Sequence, residues 1–316
     1  MNGIDSLNII HNVTRKYDVS SLYEDENRIS VYERDCFGFR GSFNNVSDID
    51  ILTIGGSTTD QRYITEGKTW QDVLSIQFAD RGKAIAIANA GVDGQTSYGH
   101  VRNFREWFPL IGSLHAKHYL FYVGFNDVND GENGKFDRNP FKPKSSTTSR
   151  ENAASHEVIK VGHVIRRHDD ANKVTSPKLE NHVEHMKGHL DRYERNLHLL
   201  ADAVKERGGA IIFVTQSSLL TKSVGQDEYE YGGHVVGLPG CTQYHGFEIN
   251  ALDRSLMRDV LNQRTREVCK EVDGILIDLG KELQWEDDDF YDCVHNTPQG
   301  ARKVGEYLFH ELENIM

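Results

Sequence analysis

Short runs of consecutive apolar residues punctuate a largely polar chain, with helix-period segments between them. The first run, at 51–54, ends in Gly55 and Gly56 and predicts a buried strand. Runs at 84–88, 118–123 and 210–215, and one within 274–279, predict four more. Trp70, Val73, Leu74 and Phe78 recur at helical spacing and predict a helix over 70–79. Further helices are expected over 101–110, over 179–207 with a stop at Gly208 and Gly209, over 250–271, and over 298–312 with Pro298 in its first turn. Strands alternate with helices, and the strands are apolar throughout. The fold class is therefore α/β: a mostly parallel sheet of about five strands with helices on both faces. Ligands of such sheets sit beyond the carboxyl ends of the strands, so the polar residues just after each strand are the candidates for chemistry.

Residues 1–48 are polar and read as irregular. They are expected to be an arm packed on a body formed by 49–316, and a surface on which copies of the chain could associate into a homo-oligomer. Two connections, 128–177 and 217–246, exceed an ordinary crossover and read as insertions that shape the substrate site. The first is expected to hold a helix near 151–167; the second carries Tyr229, Tyr231 and Tyr244.

Composition narrows the function classes. With 38% hydrophobic and 9% aromatic residues in a chain of 316, a large core can form and disorder is excluded for most of the length. The net charge of -12 and the absence of a basic patch make nucleic acids and anionic membrane surfaces poor partners. No apolar run approaches the roughly 18 residues of a membrane span. The start lacks a basic stretch followed by an apolar one, and the four cysteines form no CxxC pair, so a cytoplasmic protein with free thiols is expected.

Four polar clusters follow the strands or open the last helix. Ser57 sits in Gly55-Gly56-Ser57-Thr58-Thr59, where glycines allow a hydroxyl to project into a cleft; a helix-capping Ser or Thr is the alternative. Gly67-Lys68-Thr69 resembles the end of a phosphate-binding loop, but Arg62 stands where that motif needs its first glycine. Gly91, in Asn89-Ala90-Gly91, could offer a backbone N–H to an anion, or simply turn the chain. Asn126, after Gly124-Phe125, could donate its amide to a developing oxyanion, or start an Asn-Asp turn. Asp292 precedes His295 by three residues, within reach of its imidazole; an incidental His at a capped helix start is the alternative.

Taken in order, GGSTT, NAG, GFND and DCVHNTPQG resemble the signature blocks of the SGNH (GDSL-like) hydrolase superfamily, over roughly residues 49–316. The resemblance implies a three-layer α/β/α fold and a serine esterase. It casts Ser57 as nucleophile, Asp292 and His295 as its partners, and Gly91 and Asn126 as completing an oxyanion hole with the Ser57 N–H. It implies no cofactor. The family pattern has Asp before the nucleophile where this chain has Gly56. The expected substrate is a small or glycan-linked O-acyl ester, with O-acetyl removal foremost. An acyltransferase with the same triad and a non-catalytic binding domain on the same fold are the rival readings. His182, His185 and His189 share a helix face, but no HExxH or carboxylate cluster completes a ligand set, so no metal site is expected.

Overall fold

The computed structural model describes residues 3–43, 45–129, 135–142, 157–161, 173–174, 176–217, 222–225, 228–230 and 241–316. Five strands form one sheet. They are β3 (Ile49–Gly55), β4 (Ile87–Asn89), β5 (Ala116–Tyr122), β6 (Ala210–Val214) and β7 (Ile275–Ile277), in the order β7-β6-β5-β3-β4. Every neighbouring pair is parallel, as the unbroken apolar runs predict. Successive side chains of a strand point to opposite faces, and both faces are covered.

On one face Ile51, Leu120, Tyr122, Ile212 and Val214 pack against helices α1 (Trp70–Asp80) and α5 (Pro298–Leu312). Trp70, Leu74 and Phe78 of α1 meet Ala301, Val304 and Leu308 of α5. Phe78 and Phe309 meet edge to face, their centroids 5.0 Å apart, a pairing worth about 0.5–1.5 kcal/mol beyond its buried area. Thr69 caps α1 by accepting from Asp72 N, and Asp72 accepts in return from Thr69 N. On the other face Leu52, Ile54, Tyr119, Phe121, Ile211 and Phe213 pack against α2 (Ser97–Arg102) with its continuation to Leu110, α3 (His182–Lys205) and α4 (Ala251–Glu271). The result is the expected three-layer α/β/α arrangement.

Some expectations need correction. The strand expected over 84–88 begins later, at Ile87, because the Asp50 carboxylate takes the Ala86 N–H that a ladder would use. The helix expected over 101–110 begins at Ser97 and continues from Asn103 to Trp107 as a wider, π-helical segment and from Phe108 to Leu110 as a tight turn, where Pro109 stands. Of the helix expected near 151–167, Val158–Lys160 is a strand paired in parallel with β1 (Val13–Asp18), and the flanking stretches fall outside the described residues. Much of the two long connections, Tyr231 included, also lies outside them.

Residues before β3 are not irregular. β1 pairs antiparallel with β2 (Ile29–Arg34), and isolated bridges from Arg34 to Arg40 and from Arg40 to Asn89 join this hairpin to the edge of the main sheet. Ile4, Ile9 and Phe39 enter the main core. The alternation of β2 is real, but its buried positions are Ser30, Tyr32 and Arg34, so a hydrophobic pattern does not report it. No helix among the described residues is long and apolar enough to cross a membrane.

Candidate active site

At the carboxyl end of β3 the chain turns sharply into a single helical turn, Ser57–Asp60. Its Thr59 and Asp60 N–H groups donate to Gly56 O at 3.1 and 2.9 Å. Both preceding glycines are required by close approach. A Cβ on Gly55 would lie 2.1 Å from Thr59 Oγ1 and 2.5 Å from Tyr122 O, and one on Gly56 would lie 2.5 Å from Asn126 Nδ2. A side chain at position 56 would therefore press on the Asn126 amide, which packs against the nucleophile turn. Gly56, Ser57, Gln95, Phe125 and Asn126 line a small cleft there.

Asp292 and His295 reach the same point from a tight loop ahead of α5. Phe290 and Asn296 bridge across this loop, Tyr291 N donates to His295 O at 3.0 Å, and Thr297 N donates to Asp289 O at 2.9 Å. Gly300, the glycine of the TPxG block, lets α5 close on the loop: a Cβ there would meet Asp289 O at 2.0 Å. Asp292 Oδ1 accepts from the backbone N–H groups of Val294 (2.8 Å) and His295 (2.7 Å). Its Oδ2 accepts from His295 Nδ1 at 2.6 Å, which assigns the ring proton to Nδ1. His295 Nε2 is then free to accept from Ser57 Oγ at 2.7 Å. Tyr291 lies nearly parallel to the imidazole, 11° apart with centroids at 5.6 Å.

Electrostatics follow this geometry. Burial works against the charge on Asp292, but the facing His295 and the two backbone donors outweigh it and hold the carboxyl below its ordinary range. Burial also works against an imidazolium at His295, yet the Asp292 charge and hydrogen bond prevail and raise the imidazole above its ordinary 6.5.

The two further oxyanion candidates fare differently. Asn126 Nδ2 donates one proton to Gln95 O at 2.9 Å and lies within the cleft wall. Gly91 is not brought there. Its N–H is spent on Asn89 Oδ1 at 2.8 Å, and its Cα packs against the far end of the nucleophile turn, where a Cβ would meet Asp60 N at 2.4 Å. The residue of this loop that lines the cleft is Gln95, and it directly follows Gly94, which has a φ of +76°.

Sequence reading missed the support behind the nucleophile. Asp60, three residues after Ser57, is 1% exposed. Its Oδ1 accepts from Arg34 Nη2 and, at 2.9 Å, from Tyr32 Oη. Arg34 also donates to Gly91 O, and Arg40 donates to the carbonyls of Asp60, Gln61 and Ile64. Burial opposes the Asp60 charge, but Arg34, then Arg62 and Arg40, hold its carboxyl low. The N-terminal hairpin thus clamps the turn that carries Ser57. A lone Arg in an amphipathic strand carries no motif, so the one available signal was the alternation of β2. Asp60→Ala is expected to destabilise the fold by about 3–5 kcal/mol, because it strands the buried Arg34. Urea unfolding of purified protein measures this, and a loss under about 1 kcal/mol would remove the clamp from the account.

The three histidines of one helix face do not converge. His182 Nε2 bonds Asp253 Oδ1 at 2.9 Å, His185 packs edge-on to Phe247, and His189 Nδ1 accepts from Tyr244 Oη. Among the described residues no group of three His, Cys, Asp or Glu side chains is gathered as metal ligands.

Comparison with known proteins supplies the family. No curated protein matches the chain. Solved structures that resemble it include a lipase/acylhydrolase from Enterococcus faecalis, at 12% identity and a TM-score of 0.48, covering 84% of this chain and 97% of that one. They also include a GDSL-like lipase from Bacteroides thetaiotaomicron (14%, TM-score 0.44, 84% and 89%) and an acetylxylan esterase from Geobacillus stearothermophilus (15%, TM-score 0.44, 84% and 94%). The family model for GDSL-like lipases and acylhydrolases matches residues 53–303, from the strand before Ser57 into the helix after His295, and the chain belongs to that family.

Proposed function

We propose that this chain is a serine esterase that removes short O-acyl groups, O-acetyl foremost, from small or glycan-linked alcohols. The observation that carries the reading is the unbroken hydrogen-bonded series from Asp292 through His295 to Ser57, at 2.6 and 2.7 Å, ending at a cleft beyond the sheet. His295 Nε2 takes the Ser57 proton as Oγ attacks the ester carbonyl, and Asp292 stabilises the imidazolium that forms. The oxyanion is held by Ser57 N–H, the free proton of the Asn126 amide and a backbone N–H at Gly94. His295 then protonates the leaving alcohol, and the same imidazole activates water to release the acid.

Turnover of p-nitrophenyl esters of increasing chain length and of acetylated sugars, with a fluorophosphonate label mapped by mass spectrometry, tests this reading. Hydrolysis strongest on acetyl esters and a label on Ser57 are expected; an unlabelled, inactive protein would reverse it. Asn126→Ala is expected to lower kcat roughly a hundred- to thousand-fold with little change in KM, because the amide meets charge that develops only in the transition state. A raised KM with kcat untouched would make Asn126 a ground-state binding residue instead.

A further inference from the structure

A cavity of about 540 Å³ adjoins the cleft at Ser57. Two loops wall both spaces: Gln95 and Asn126 line the cleft, and the next residues, Thr96 and Asp127, line the cavity. The charge of this cavity runs against that of the chain. The whole protein carries -12, yet Arg105, Arg138, Arg192 and Arg195 line this one space, and among the described residues the carboxylates that line it are Asp127 and Asp137. Both carboxylates are already engaged by the loop at the amino end of α2. Asp137 accepts from Thr96 N at 2.9 Å and Thr96 Oγ1 at 2.8 Å, and Asp127 accepts from Ser97 Oγ at 2.6 Å.

We propose that the arginine-lined cavity binds a tetrahedral oxyanion, a phosphate or sulfate carried on the substrate away from the ester. This rests on the esterase reading above for its use, though not for the binding itself. Guanidinium forks pair bidentately with such oxyanions. Because the same two loops wall both spaces, a substrate with its acyl group at Ser57 would carry its anion toward the arginines. Binding energy gained from that remote group is then available to hold the ester in register.

Calorimetry with inorganic phosphate and, separately, sulfate at low salt tests the site on the full chain, without reference to catalysis. Saturable binding is expected. Replacement of two exposed arginines, Arg105→Gln and Arg195→Gln, should weaken it by about tenfold each, the usual cost of one charge-assisted hydrogen bond. Neither side chain belongs to the catalytic series, so turnover of p-nitrophenyl acetate should be unchanged in the double variant, which also checks that it folds. On an O-acetylated sugar phosphate or sugar sulfate, kcat/KM should exceed that on the neutral sugar and should fall in the double variant. Preference between the two charged sugars identifies which oxyanion is used. No saturable binding of either anion, or equal binding by wild type and double variant, would overturn the proposal even if neutral esters are hydrolysed. Anion binding in a protein that hydrolyses no ester would uphold the site and reverse the esterase reading alone.

Discussion

Ser57→Ala is expected to cut kcat on a p-nitrophenyl acetyl ester by roughly a millionfold, to the level that binding and oxyanion contacts alone sustain. No other group can replace the hydroxyl. His295 Nε2 bonds to Ser57 Oγ, and the other ring nitrogen is held by Asp292, so without Oγ the imidazole can at most activate water directly. The fold should not notice the change. The turn that presents Ser57 is built by backbone bonds to Gly56 O and by the Arg34 and Arg40 clamp on Asp60, none of which uses the serine side chain. Stability should therefore stay within about 0.5 kcal/mol of wild type, and the Asp292–His295 bond should survive. Wild-type turnover in the purified variant would discard the serine mechanism. Inactivity with a large loss of stability would instead trace the defect to the turn, and the Asp60→Ala variant provides the reference for that outcome.

The layers were legible because burial on both faces of a parallel sheet leaves a plain mark, a run of apolar residues, and each of the five strands carries one. The helix ends at Gly208, Pro298 and Asn250 were legible for the same kind of reason, local steric rules and caps. Ser57 stood out because it lies two residues past the end of its strand, and Asp292 and His295 because they lie three residues apart ahead of a helix. The misread features depend on side-chain hydrogen bonds that neither periodicity nor motif spacing reports. The choice between Gly91 and Gly94 turns on whether Asn89 Oδ1 takes the N–H of Gly91, which only the folded loop decides. The second strand of the hairpin before β3 was invisible because its buried positions are Ser30, Tyr32 and Arg34, and the last two are held inside by Asp60 of the nucleophile turn rather than by apolarity. It lies ahead of the family match at 53–303, so neither periodicity nor family pattern could point to it.

Asp292→Asn is expected to cost about ten-thousandfold in kcat, and it carries a second signature that a merely structural residue would not. The carboxylate does two things for His295: it fixes the proton on Nδ1, leaving Nε2 to accept from Ser57, and its charge raises the imidazole above 6.5 against the opposing effect of burial. An asparagine can turn its amide toward Nδ1 and force the proton to Nε2, where it cannot serve as base. It also removes the charge, leaving burial and Arg62 opposed by Asp93 alone among the groups that act on the imidazole. In the wild type the neutral imidazole is lost as pH falls through the raised value, so the acid limb of kcat/KM should lie above 6.5. In the variant the residual activity should show that limb displaced to lower pH. The same charges set the pH dependence of stability. The contribution of His295 is full below 6.5 and is lost as pH rises through its raised value. That of Asp292, held below its ordinary range, is present at higher pH and lost as pH falls through its lowered value. The pair therefore stabilises the fold most in the mildly acidic window between the two, and Asp292→Asn should flatten the stability profile there. A variant with reduced kcat but an unmoved acid limb and an unaltered stability profile would show that Asp292 does not set the charge state of His295.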